Sequence, residues 1–204
     1  MKKKMIYIHG KNGTAAEAKH YEPLFPGFDV IGFDYKSETP WEAQEEFRPF
    51  LASLNAEYND VAVIANSIGA FFTMCALGDK QMEKAYFISP IVNMERLIAD
   101  MMKWSGVSES ELKDKGTIAT SFGEVLSWEY LSWVRKHPIS WNTPTVILYG
   151  AGDKMQSFDT IRLFADKTKA VVTVMENGEH WFHTESQLAF LDKWLQNSIF
   201  QRMR

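Results

Sequence analysis

Cysteine is nearly absent. The chain of 204 residues has one, Cys75, so no disulfide can form within it, and a lone thiol suits a reducing compartment. No apolar run approaches the length of a membrane span, which needs ~20 residues. Neither sign of charge dominates: 22 Lys and Arg stand against 26 Asp and Glu, for a formal net charge of −4. That balance argues against a nucleic-acid partner. There is no repeat, no low-complexity tract and no linker. The N-terminal lysines, followed by Met5, Ile6, Tyr7 and Ile8, imitate a secretory leader only briefly. The apolar stretch stops at His9-Gly10 and no small-residue cleavage site follows, so the expected location is cytoplasmic.

What remains is ordinary globular material, 46% apolar and 24% charged, enough for one domain over residues 1–204 with a full core. Short apolar runs at 5–8, 30–33, 61–65, 85–88, 145–149 and 171–175 are continuous rather than alternating. Continuous runs are what parallel strands need when both faces are covered. Helical patterns lie between them. Thr14 with Glu17, Thr39 with Glu42 and Thr184 with Gln187 have capping-box spacing, and Pro40 suits a first helical turn. Pro49 is expected to bend or split the second of these helices. The stretch 68–77 is apolar on every side, which predicts a buried helix ended by Gly78. Strand and helix alternation predicts an α/β fold with a mostly parallel sheet and helices on both faces.

Residues 91–143 break the rhythm. Met94, Leu97, Ile98, Met101 and Met102 have helical spacing, and Ser108 with Glu111 suggests another capped helix ending near Gly116. A hairpin around Phe122-Gly123 and a helix over 128–136 follow. The segment is too patterned for a loop and is expected to be a mainly helical lid or cap over the sheet edge. Its Met94, Met101, Met102, Trp104 and Trp128 fit either a core or an apolar acyl pocket.

In an open α/β sheet, ligands bind beyond the carboxyl ends of the strands. Three reactive residue types follow three of the apolar runs: Ser67 the third, Asp153 the fifth and His180 the sixth. This places a serine, an aspartate and a histidine at one edge. Ser67 lies at a sharp strand-to-helix turn, where helix N–H groups favour negative charge. Small neighbours, Ala65 and Gly69, leave room for the turn. Asp159 is a weaker rival acid because it falls inside the next helical pattern, and Asp34 reads as a strand-end cap. His183 rivals His180, but it abuts the helix cap at Thr184, whereas His180 directly follows the Gly178 turn.

Ala65-Asn66-Ser67-Ile68-Gly69 resembles the nucleophile elbow of the α/β-hydrolase family, with alanine in place of the first glycine. His9-Gly10-Lys11 is similar to that family's oxyanion loop, Tyr149–Gly150 through Asp153 to its acid loop, and Gly178-Glu179-His180 to its histidine loop. The order Ser, Asp, His is also the family's. The resemblance covers nearly the whole chain except the insertion. It implies a minimal sheet of about six strands, because the antiparallel strands that often come first are missing. It also implies that the backbone N–H groups of Lys11 and Ile68 form the oxyanion hole. The implied activity is hydrolysis of a small ester through an acyl-enzyme, with Ser67 as nucleophile, His180 as base and Asp153 as its partner. Thioester, peptide or carbon–carbon bond hydrolysis at the same site, or a binding protein without turnover, are the alternatives.

No metal or cofactor is expected. There is no H-E-x-x-H helix to go with His180 and His183. The Gly10–Thr14 stretch has the wrong order for a phosphate loop. Cys75 falls in the buried helix and reads as a core thiol.

Overall fold

The computed structural model describes residues 2–200, and of Phe200 the backbone alone. Met1 and residues 201–204, which the sequence reading assigns to the same domain, lie outside the described residues. In chain order the elements are β1 (Lys3–Ile8), α1 (Ala18–Tyr21), β2 (Phe28–Phe33), α2 (Pro40–Ser53), β3 (Val61–Asn66), α3 (Ile68–Leu77) and β4 (Lys84–Ile88). Then come α4 (Met94–Ser105), α5 (Glu109–Lys115), β5 (Thr117–Ala119), β6 (Val125–Ser127) and α6 (Trp128–Lys136). The chain ends with β7 (Thr145–Gly150), α7 (Phe158–Thr168), β8 (Val171–Met175) and α8 (Glu185–Phe200).

These elements form two compact units. Among the described residues, 2–92 with 140–200 make the first, and 93–139 the second. In the first unit six strands run in the order β2-β1-β3-β4-β7-β8, and every pairing is parallel. All six apolar runs are strands. Those in the middle of the sheet are buried along most of their length, whereas the edge strands β2 and β8 are only partly covered. One face of the sheet, with Met5, Tyr7, Ile64, Ile88 and Leu148, packs on Tyr21, Phe25, Leu191, Trp194 and Leu195. The other, with Ile6, Ile8 and Val63, meets Phe47 and Leu51 of α2 and Leu77 of α3.

β1 continues to β2 on one side, and the chain then crosses to β3 on the other. The strand order therefore reverses between β1 and β3, and the crevice beyond their carboxyl ends is where such sheets bind ligands.

Capping is local and follows the sequence. The Thr39 hydroxyl accepts from Glu42 N while the Glu42 carboxylate accepts from Thr39 N. Thr184 and Gln187 make the same exchange before α8. Pro49 does not split its helix: α2 runs through it unbroken. Proline removes one backbone donor, and burial of Ala43, Phe47 and Leu51 along the same helix outweighs that loss.

The second unit has its own small core. Met94, Leu97, Ile98 and Met102 of α4 are buried, with Leu112, Leu126, Leu131 and Val134. The hairpin β5–β6 is antiparallel, and Gly123 supplies the positive φ (87°) near its tip. Of the residues that sequence left between core and pocket, Met94 and Met102 are core. Trp104 is 52% exposed and stands edge-on to Phe122.

Candidate active site

Ser67 sits between β3 and α3 with φ 51° and ψ −118°, a conformation that side chains other than glycine rarely adopt. Strain of this kind costs on the order of 1–3 kcal/mol and persists only where neighbours over-determine it. Here they do. Ser67 N donates to Ile88 O (2.9 Å), and Ser67 O accepts from Ala70 N and Ile91 N, each at 3.1 Å. Gly69 makes the turn possible, since a Cβ there would lie 2.4 Å from His9 O. The backbone of β1 thus runs against the start of α3 at a distance that only glycine permits.

The serine hydroxyl lies 2.7 Å from His180 Nε2, and His180 Nδ1 lies 2.7 Å from Asp153 Oδ2. An ionised carboxylate only accepts, so Nδ1 carries the proton and Nε2 accepts from the hydroxyl. The Asp153 carboxylate is fully buried, with 0% of its side chain exposed. Its other oxygen accepts from Met155 N (2.7 Å) and Gln156 N (3.3 Å), which leaves Oδ2 for the imidazole. His180 is 23% exposed at the side chain and so remains partly open to solvent.

The acid and histidine loops touch backbone to backbone. Gly152 N donates to Gly178 O (2.8 Å), and a Cβ on Gly150 would come within 2.5 Å of Gly178 C and 2.6 Å of Glu179 O. This contact fixes the spacing between Asp153 and His180. Sequence marked Gly178 as a turn; that it is also a contact surface for Gly150 needed the fold.

On the other side, the loop after β1 lies against the serine. A Cβ on Gly10 would be 3.3 Å from Ser67 Cβ. His9 Nδ1 donates to Gly10 O (2.9 Å), and Gly13 N donates to the same carbonyl (3.1 Å). The His9 ring stacks on Tyr35 at 4.2 Å, and the Tyr35 hydroxyl donates to His9 O (2.8 Å). Lys11 follows Gly10 in this turn, and Ile68 opens α3 directly after the serine. The support from His9 and Tyr35 left no mark in the sequence, because a β1 loop and a β2 end meet only across the sheet.

The rival groups lie elsewhere. Asp159 is on α7, exposed and paired with Arg162. Asp34 is exposed and paired with Lys36, whose hydrogen bond and charge hold its carboxyl below the usual range. The His183 ring stacks on Trp181, and its Nδ1 donates to Trp181 O (2.7 Å). Cys75 is in α3, where burial pushes its thiol up to about 12. Among the described residues no group of three or more His, Cys, Asp or Glu is placed to hold a metal ion. Among them, too, no helix is long and apolar enough to cross a membrane.

No family model matches the chain. A curated protein of Mycoplasma genitalium, named "Putative esterase/lipase 3", is 28% identical over 119 residues, which is 57% of this chain and 41% of that protein. The chain thus spans about two fifths of the length of that curated relative. Among solved structures, Est1E from Butyrivibrio proteoclasticus is similar with a TM-score of 0.77 at 13% identity, covering 99% of this chain and 88% of that one. The mouse alpha/beta hydrolase domain-containing protein 10 gives a TM-score of 0.76 at 16% identity, covering 98% and 92%. Est1E with ferulic acid bound gives 0.73 at 12% identity, covering 98% and 89%. The strand order, the strained serine between β3 and α3 and these likenesses agree: the chain has the α/β-hydrolase fold.

Proposed function

We propose that the chain is a serine hydrolase that cleaves a small carboxylic ester through an acyl-enzyme on Ser67. The observation that carries this reading is the unbroken relay from Ser67 Oγ through His180 to a fully buried Asp153. A serine hydroxyl is a weak nucleophile at neutral pH and needs a base at hydrogen-bond distance. In this reading His180 Nε2 takes the proton as Oγ attacks the acyl carbon, and Asp153 stabilises the imidazolium. The proton then passes to the departing alkoxide. Water, deprotonated by the same imidazole, releases the acid and restores Ser67. The N–H groups of Lys11 and Ile68 would receive the developing oxyanion, each such donor being worth about 3–4 kcal/mol in the transition state. Every step uses protein groups and water.

The esterase name of the Mycoplasma relative supports an ester as substrate. A serine-directed fluorophosphonate probe tests the mechanism. Wild type is expected to be labelled and Ser67→Ala not. Folded wild type that resists the probe would sink the serine mechanism. A panel of p-nitrophenyl esters beside thioesters and peptides tests the substrate class, with the esters expected to turn over fastest.

A further inference from the structure

Tyr7 is fully buried in β1, two residues before the loop that carries Lys11. A phenol in that position is costly to bury unless its hydroxyl is paired. Its hydroxyl donates to the Glu17 carboxylate. The second oxygen of Glu17 accepts from Thr14 N (3.0 Å), at the far end of the same loop. The loop closes tightly on this carboxylate, since a Cβ on Gly13 would lie 3.0 Å from Glu17 Oε1.

The chain of contacts continues toward the nucleophile. Asn66 immediately precedes Ser67, and it backs the beginning of the loop: a Cβ on Gly10 would sit 3.5 Å from Asn66 O and 3.7 Å from Asn66 Cγ. A polar path therefore runs from Thr14 through Glu17 to Tyr7. It ties the far end of the loop to β1, while the near end, at Gly10, packs against the turn that presents the serine. A phenylalanine at position 7 would fill the core equally well, but it would leave the loop without its tie to β1.

We propose that Glu17 is a positioning residue for the oxyanion site. Its carboxylate, shared between Thr14 N–H and the Tyr7 hydroxyl, locks the loop bearing Lys11 onto β1, with Gly10 of that loop seated against Asn66 and Ser67. It touches no substrate. The assignment rests on the serine-hydrolase reading above, since it gives that reaction's oxyanion site its rigidity.

Two variants break the link from opposite ends. Glu17→Gln keeps the size but offers one acceptor where two donors must be met, and Tyr7→Phe keeps the ring and removes the hydroxyl. The readout is steady-state turnover of a p-nitrophenyl ester and of its thionoester, whose sulfur is a poor acceptor for oxyanion donors. Each variant is expected to lower kcat on the ester by roughly 10-fold, with KM changed far less. The preference for ester over thionoester should fall by a similar factor. The double variant should be no worse than the poorer single one, because both cut the same path. Wild-type kcat and preference in both variants overturn the proposal. So does equal loss on ester and thionoester that follows a fall in Tm, which marks a purely structural role. A folded wild type without turnover or probe labelling overturns instead the hydrolase reading on which the proposal stands.

Discussion

The two units of this molecule are held together by different means. In the first, the core is a sheet of fully parallel strands with large buried side chains on both faces, among them Tyr7, Phe47, Phe72 and Phe87. Its strand ends meet through backbone contacts at glycine, with no side chain between them. The second unit, residues 93–139, buries single aliphatic stripes of short helices and leaves Trp104, Phe122 and Val125 exposed. Its elements are joined at the surface by Arg135, which donates to Glu95 (2.8 Å) and in two-pronged fashion to Glu109 (2.7 and 2.8 Å). Ser67, Asp153 and His180 all belong to the first unit. The difference teaches where rigidity is concentrated. Positions fixed by backbone packing tolerate no added atom, whereas positions fixed by exposed ion pairs can lose one at little cost.

That contrast can be broken or sharpened by substitution. The largest effect is expected at Ser67→Ala. Loss of the proposed nucleophile should lower kcat/KM by on the order of 10⁴-fold or more while thermal unfolding stays close to wild type. Next comes Gly150→Ala, which forces a methyl into the backbone of Gly178 and Glu179. Overpacking of this kind costs ~1–3 kcal/mol, and the shift of His180 against Asp153 should lower kcat by roughly 10–100-fold. Both Tm and steady-state kinetics check it. A Gly150→Ala protein with wild-type kinetics would show that the loop contact does not set the catalytic spacing.

A smaller effect concerns Cys75. With its thiol near 12, almost none is thiolate at pH 8, so alkylation by iodoacetamide should be slow in the folded protein and rise sharply in denaturant. Rapid alkylation without denaturant would mean that α3 opens readily. The smallest effect is expected in the second unit. Arg135→Gln should lower Tm only slightly and leave probe labelling of Ser67 unchanged. Arg135 holds the Glu109 carboxyl below its usual range. A depressed carboxyl stabilises the fold above the ordinary carboxylate pKa, and that contribution is lost as pH falls through the lower folded value. The Tm difference between wild type and Arg135→Gln should therefore close in acid, and also in high salt. A gap that persists in acid would assign Arg135 a packing role.

Much of this could be read along the chain. The six strands, the capped helices, the hairpin near Gly123 and the Ser, Asp, His order are local patterns, because hydrophobic period, capping and turn chemistry act over a few residues. The same locality explains what was missed. Pro49 is expected to bend or split α2, and it does not split it, because the burial of Phe47 and Leu51 that holds the helix together is invisible in sequence. The sheet was expected to be mostly parallel, and all of its pairings are. The Glu17 capping pattern was legible, but its second use, on Tyr7, was not.

By itself, then, the sequence determined the elements, their order and which residue types end each strand. Only the tertiary structure decided that Ser67 adopts a positive φ, that His180 Nε2 lies within 2.7 Å of its hydroxyl, and that Gly150 and Gly178 pack backbone to backbone. The physical reason is range. Propensity and periodicity are set by neighbours in the chain, whereas distances between strand ends are set by the sheet's register and by how closely two backbones can approach.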